Sequence, residues 1–549
     1  MLLVVALPLL TTRPLITSLN QSIIVGPQPA ATVPLFNVWT IWWNANRLSH
    51  GLADYWQAPI FHPTAGTFAF SESQPTTWLV APLVWLASPL TAYNVYLLGS
   101  LSLNGWFGYR LLRQLDCADL IAMAGGVMVL LLPFVFWQIA VLQLIPLWGV
   151  LWTLLTLDQL AEAPSLKRGL ALGLAFGATY ALCNYYGLFL SVLLAVCAPC
   201  LLGRSWLSWR TWGAIGVSLV VAALLTAPIV WTQLHYLMQH QFQRPAATVD
   251  RLAASWRDYL IPYGEAWCSP ADWFGVLPGR WQLSPGTIKI GLAAFGLLVG
   301  LFSSGHRRRT FFWGLFLISS LLLASATKVG AGEWNLQSLL VEHWPGFAQI
   351  RTPYRFAVFA QLATVVLAAL GLQSIYRWLI RSTTPRTAFG LTALLTLAAT
   401  TDVLPRVPHR TDVPEIADAD HWAFWLRDHS SPDAVVTSIP FVAGTSERDH
   451  EVTATAMFYQ TVHHRPLVEG YSGFFPQPFR DLRKLMETFP DRESIDRLRS
   501  HNVRYCIVDR IRLSPDQREY RDGWSDQLLL RYADEDRQVD VYELQPAAN

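Results

Sequence analysis

The chain reads as an α-helical polytopic membrane domain followed by a small α/β soluble domain. Three observations carry that expectation. Of its 549 residues, 52% are hydrophobic and only 14% charged, where a soluble domain holds about a quarter charged. The charges are unevenly spread: residues 77–404 contain long apolar runs, and residues 405–549 have the mixed composition of a soluble domain. Basic residues recur in every second short loop between the apolar runs. Mean hydropathy is +0.30. A net charge of +2, from 40 Lys+Arg and 38 Asp+Glu, gives no reason to invoke nucleic acid.

A crossing helix needs about 20 mostly apolar residues. About eleven stretches qualify, near 1–18, 90–112, 118–138, 142–161, 168–183, 185–203, 211–233, 285–304, 310–327, 355–376 and 387–404. The apolar stretch 76–88 is punctuated by Pro75, Pro82 and Pro89. Proline removes a helix hydrogen bond, so this segment reads as an interfacial or re-entrant helix feeding the second span. Orientation follows from positive charge. Arg110 and Arg113, Lys167 and Arg168, Arg204 and Arg210, Arg307 to Arg309, and Arg377, Arg381 and Arg386 fall after alternate spans. Those loops are expected in the cytoplasm of a bacterial cell, with the chain in the inner membrane. The large loops 19–76, 234–284 and 328–354 of a 1–404 membrane domain, and the 405–549 tail, then lie outside. Met1 opens directly in apolar sequence and Arg13-Pro14 interrupts it early, so a short first span is expected rather than a cleaved signal peptide.

Six cysteines are scattered. Cys197 and Cys200 form a C-x-x-C inside an apolar helix with no second pair nearby, which suits packed small residues better than a metal site. Cys268 and Cys506 share the outer side without any sign of pairing.

Residues 32–76 read TVPLFNVWTIWWNANRLSHGLADYWQAPIFHPTAGTFAFSESQPT. Phe36, Trp39, Trp42 and Trp43 have helical spacing, and with Trp56 they suit a helix lying along a membrane surface. Pro59, Pro63 and Gly66 impose turns. The string Pro34 through Glu72, then Ala92-Tyr93-Asn94 and Asn104-Gly105, resembles the opening of GT-C type polytopic membrane glycosyltransferases, nearest to the YfhO-like and uncharacterised bacterial multi-pass groups. The resemblance continues at Asn184-Tyr185-Tyr186-Gly187, at Pro345-Gly346-Phe347 through Phe356, and at Glu469-Gly470-Tyr471-Ser472-Gly473-Phe474. It covers most of the chain, with diffuse motifs.

That resemblance implies hexosyl or pentosyl transfer from a polyprenyl-phosphate carrier to a glycan, lipid or protein acceptor of the cell envelope, on the outer side. It implies no certain cofactor beyond the lipid-linked donor, and leaves a divalent metal open. It also implies a catalytic carboxylate in the first outer loop, to take the acceptor's proton. No Asp or Glu occurs from Met1 to Ala53; the first acids are Asp54 and Glu72. Asp54 precedes Tyr55-Trp56, where desolvation would raise its pKa, or it is a turn acid. Glu72 lies between serines and equally suits capping of the amides near Thr76 and Thr77. His62 is a candidate polar contact to either acid.

For the carrier phosphate, Ile350-Arg351-Thr352-Pro353-Tyr354-Arg355-Phe356 opens the tenth span. Arg351 and Arg355 are four apart and would share one face if the helix begins there. Two guanidiniums there suit a bidentate grip on phosphate, or they snorkel to headgroups. In loop 234–284, Glu265 and Asp272 stand beside Trp267 and Trp273, an acid–aromatic pairing that holds sugar rings or anchors at an interface. His235 and His240 are five apart, a poor spacing for a helix-borne metal pair, and no metal is assigned.

The tail is expected to hold strands near 434–439, 503–508 and 538–542 and helices near 449–461 and 478–500. Tyr471, in the glycine- and aromatic-rich loop 469–476, is a candidate acceptor contact, or the loop packs the tail onto the membrane domain. His463 and His464 before it read as structural. A non-catalytic membrane protein of the same fold, acting in envelope assembly or lipid binding, is the alternative function. A transporter is disfavoured by the lack of paired repeats and of mid-membrane charge.

Overall fold

Apolar runs fold as helices that satisfy their own backbone groups, and the computed structural model bears this out across its described residues, 2–262, 280–303, 305–331, 334–416, 421–513 and 527–546. The chain divides into two units. One comprises Met1–Thr17, Tyr96–Leu234 and Gln241–His409; the other comprises Ser18–Val95, His235–His240 and Arg410–Asn549.

The first unit is helical. Among the described residues, five helices are long and apolar enough to cross a membrane: Asp119–Trp137, Leu142–Glu162, Asn184–Leu207, Trp209–Gln239 and Pro353–Ser382. Helices also cover the other apolar stretches, among them Leu2–Thr11, Pro89–Gln114, Leu166–Leu182, Thr287–Phe302, Arg307–Ala324 and Pro385–Thr401. The apolar window of Pro353–Ser382 is wholly buried, while that of Trp209–Gln239 is 11% buried. Small residues allow the central helices to approach closely. A Cβ added to Gly296 would lie 2.2 Å from the Leu367 carbonyl oxygen, and one on Gly371 would lie 2.4 Å from that of Leu292. Buried Gln361 accepts from the Phe134 amide at 3.0 Å and donates to the Leu283 carbonyl at 2.9 Å.

Two polar knots pin helix ends in this unit. Asp402 accepts from the Ile288 amide at 2.7 Å, while Lys289 Nζ donates to the Ala399 carbonyl at 3.0 Å and to that of Asp402. Each side chain thus caps the other's helix. Arg309 meets Asp158 at 2.6 Å and Asp116 at 3.2 Å, and also pairs with Glu162.

The second unit is built on four strands, β1 (Val435–Ile439), β2 (Val503–Asp509), β3 (Leu528–Asp534) and β4 (Val539–Leu544), in the order β1-β2-β4-β3. β1 and β2 are parallel and the other pairs antiparallel. Leu467 bridges Val436 in parallel. Leu467 then receives the first loop: its amide donates to Pro59 at 2.9 Å, the His62 amide donates back to Leu467 at 3.0 Å, and the Phe61 amide donates to the Glu469 carbonyl at 3.2 Å. Segment 59–62 therefore docks at the sheet edge through these three backbone bonds, as a bend with Phe61 at φ 57° rather than as a strand. Residues 18–95 thus share a unit with the tail.

The helix expected over the tryptophans is present as Thr32–Ser49, but its tryptophans are corrected from interfacial to buried. Trp39, Trp42 and Trp43 are 0%, 7% and 4% exposed. The helix lies along Glu451–His463: Trp39 Nε1 donates to Gln460 Oε1 at 2.7 Å, and Trp42 meets His464 at 5.4 Å. An apolar stripe suits lipid or a partner helix equally, and here a partner helix takes it. The single helix expected over 478–500 is two, Gln477–Leu485 and Arg492–Ser500. Pro490 cannot donate a helix hydrogen bond, and Asp491 caps the second helix by accepting from the Ser494 amide at 2.8 Å. Strand β3 was not expected from the sequence. Cys117, Cys183, Cys197, Cys200 and Cys506 are free thiols. Cys268 lies outside the described residues.

Candidate functional site

Three arginines gather in the first unit. The turn Pro353–Phe356 leads into the buried helix Ala357–Ser382, and this places Arg355 with 8% exposure. Its guanidinium carbon sits 4.6 Å from the ring centroid of Tyr185, at the start of the Asn184–Leu202 helix. Arg244 comes from a distant loop, fixed by its amide donating to the Ala348 carbonyl at 3.3 Å. Burial, and then repulsion from Arg351, lower its pKa to about 10 against the opposing pull of Tyr185. It stays cationic at neutral pH. Arg351 is exposed. Aromatic packing holds the turn: Tyr354 stacks on Trp281 at 4.2 Å, and Phe356 on Phe189 at 3.7 Å. Sequence spacing singles out Arg351 and Arg355, but the shared helix face expected of them is not formed, because the turn begins at Pro353, after Arg351; Arg244, more than a hundred residues earlier, carries no local signal.

An apolar groove of about 380 Å³ opens along the same Asn184–Leu202 helix. Val192 and Val196 form one wall, Leu322 of Arg307–Ala324 another, and Leu339, Leu340 and Trp344 the third. Trp344 Nε1 also donates to Ser191 Oγ at 3.0 Å. From Tyr185 to Val196 the helix rises about 16 Å at ~1.5 Å per residue. The arrangement can hold an anionic head against arginines and an apolar chain along the helix.

The acids lie in the second unit. Asp54 is exposed, in a left-handed turn at φ 52°. Glu72 is 7% exposed, within a polar seam. Next to it, Ser73 and Gln74 present their carbonyls to Asn44 Nδ2 at 2.7 and 3.2 Å, and Gln74 Nε2 donates to Asn37 Oδ1 at 2.7 Å. Tyr55, beside Asp54, donates to Asn44 Oδ1 at 2.8 Å. The backbones around the two acids therefore share one network, while the Asp54 carboxylate faces solvent.

Trp56 is half-buried, edge-on to Tyr55 at 5.0 Å. His62 is half-buried, with its pKa lowered by burial and then by His501. Tyr471 packs on Phe36 at 5.6 Å and His450 at 5.5 Å. Glu265 and Asp272 lie outside the described residues.

One acid was not singled out from the sequence as titratable. Glu469 is 2% exposed; its Oε1 accepts from the Ser438 amide at 2.8 Å and its Oε2 from Thr437 Oγ1 at 3.1 Å. Burial pushes its pKa up to about 7. Its place beside Gly470, whose added Cβ would lie 2.9 Å from the Phe61 ring, puts it at the seam where the first loop meets the sheet.

No protein-family model matches the chain, and no curated protein matches it. Solved structures do. The chain is similar to the arabinofuranosyltransferase AftD from Mycobacteria at a TM-score of 0.57 and 15% identity, over 99% of this chain and 40% of AftD. It is similar to the oligosaccharyltransferase of Archaeoglobus fulgidus in its apo form at a TM-score of 0.50 and 12% identity, over 92% of this chain and 69% of that one. This chain thus spans less than half the length of AftD. At such identities the likeness is one of fold, and the fold is that of GT-C type polytopic membrane glycosyltransferases.

Proposed function

We propose that the protein is a membrane glycosyltransferase that moves a sugar from a polyprenyl-phosphate carrier to an envelope acceptor outside the cytoplasm. The observation that carries this reading is Arg244 and Arg355 at Tyr185, with Arg351 near Arg244, and an apolar groove along the Asn184–Leu202 helix. The arginines hold the carrier phosphate and stabilise its charge as it leaves. The groove takes the isoprenoid chain. The chain crosses the membrane about eleven times, with the 405–549 tail outside.

The acceptor's proton goes to a carboxylate. Of the two first-loop acids, Glu72 is the better base, because it is buried in an ordered polar seam, whereas Asp54 is exposed on a turn. Tyr471, His62 and Trp56 are assigned to the acceptor or its sugar, with Glu265 and Asp272 as further candidates. A single displacement at the anomeric carbon inverts its configuration. The alternative is a non-catalytic lipid-binding protein of envelope assembly, favoured by one fact: no acid precedes Asp54.

The test is binding of polyprenyl phosphate to the purified full chain, read by native mass spectrometry. Arg244→Ala and Arg355→Ala each weaken retention by about ten- to a hundredfold, the value of a charge-assisted contact. Retention unchanged in both variants removes the arginines from the site.

A further inference from the structure

The least buried of the crossing helices carries a cationic collar at one end. Along Trp209–Gln239, Leu219, Val220, Leu224 and Trp231 are 65%, 59%, 70% and 79% exposed. Such a surface is stable only against hydrocarbon or a covering partner. Just before it, the short helix Gly203–Leu207 folds back on its first turn, with Trp206 and Trp212 4.5 Å apart. Leu207 and Trp209 are 87% and 78% exposed. Exposed tryptophans in this setting mark the depth of lipid headgroups.

At that depth sit Arg204, Arg210, Arg307 and Arg308, all exposed. The side chain of Arg308 crosses Gly203, where an added Cβ would lie 3.1 Å from its Cδ. The position has φ 52°, so glycine suits it on both counts. Residues 203–213 and 305–324 contain no Asp or Glu. Arg309, next along, is turned to Asp116, Asp158 and Glu162, whereas Arg204, Arg210, Arg307 and Arg308 make no ion pair among the described residues. Uncompensated guanidiniums beside an apolar face match a ligand that is anionic at one end and hydrocarbon at the other.

We infer that Arg204 and Arg308, laid together over Gly203, hold the headgroup of an anionic phospholipid whose acyl chains lie along Trp209–Gln239. Arg210 and Arg307 add to the field. A free phosphate ion would leave the apolar flank unused, and a zwitterionic lipid would leave the charge unanswered. This site is separate from the Arg244–Arg351–Arg355 cluster and does not depend on glycosyl transfer.

The experiment uses the purified full chain in detergent, titrated with phosphatidylglycerol or phosphatidylcholine and read by native mass spectrometry. A photoactivatable phosphatidylglycerol maps the contact. Wild type retains phosphatidylglycerol over phosphatidylcholine, and the label falls on residues 203–224 or 307–312. Each neutralised arginine costs about fivefold in retention, so Arg204→Gln/Arg308→Gln loses about twenty-fivefold. Arg381→Gln/Arg386→Gln, neutralising exposed arginines elsewhere, retains the lipid as wild type does. Equal retention of the two lipids by wild type overturns the inference, as does an equal loss in both double variants. If the first variant does not fold, the wild-type label decides: a label placed elsewhere overturns the site.

Discussion

Replacing Glu469 with Gln should remove a pH-dependent weakness from the second unit. The carboxyl is buried, and its folded pKa lies near 7 against 4.5 in the unfolded chain. The folded unit therefore binds this proton more tightly. Stability from Glu469 is complete below pH 4.5 and is lost as the pH rises through 7. At about 1.4 kcal/mol per pH unit, the interval from 4.5 to about 7 is worth about 3 kcal/mol. Glutamine keeps both contacts: its oxygen accepts from the Ser438 amide, and its NH₂ donates to Thr437 Oγ1. At pH 8.5 the variant should be the more stable by about 3 kcal/mol, and near pH 4.5 the two should converge.

His450 and His463 act in the opposite sense. Burial lowers their pKa values to about 4 and about 3, so their share of stability is present above 6.5 and lost in acid. The wild-type profile mixes both trends, and the difference between wild type and Glu469→Gln isolates one. The assay is hydrogen exchange over residues 434–440, corrected for intrinsic rates. At pH 8.5 the variant should exchange about two orders of magnitude more slowly. Equal slopes against pH in the two proteins would show that Glu469 does not take up its proton in the folded unit near pH 7. Because Glu469 lies where segment 59–62 meets the sheet, the same loosening should reach the first loop.

Two packing predictions follow. Trp39→Phe removes the donor to Gln460 Oε1 and should cost about 1–3 kcal/mol; Gln460→Leu should cost more, since the Pro59 and Arg465 carbonyls also lose their donor. Hydrogen exchange in Glu451–His463 reads both. Gly296→Ala should destabilise the first unit by about 1–3 kcal/mol through its collision with the Leu367 carbonyl. Gly291→Ala meets nothing within 4 Å and should be neutral or stabilising by up to about 1 kcal/mol; thermal unfolding in detergent gives the signs.

Local pattern made much of this architecture readable. Apolar length alone marks the five described helices long enough to cross a membrane, and short, nearly continuous buried runs mark β1, β2 and β4. The missing parts depend on distant partners. The stripe of Trp39, Trp42 and Trp43 cannot say whether lipid or another helix will cover it, and its cover lies over 400 residues away. β3 was missed because Leu529, Leu530 and Arg531 are all exposed on an irregular edge strand, which erases the alternation. Arg351 and Arg355 stand out by their four-residue spacing, but the turn begins only at Pro353, so Arg351 stays exposed ahead of it while Arg355 is buried. Arg244 joins them through a loop, and no spacing rule reaches it. Glu469 reads as an ordinary loop acid until the sheet buries it.

The central claim is that this chain transfers a sugar from a lipid carrier. Its most direct test is deletion of the gene, with mass spectrometry of extracted glycolipids and envelope glycans. Complementation uses wild type, Asp54→Asn, Glu72→Gln and Arg355→Ala. In the deletion strain one glycan should lose a single sugar, wild type should restore it, and Glu72→Gln and Arg355→Ala should not. An unchanged glycan profile in the deletion strain, or full restoration by all three variants, would contradict the central claim.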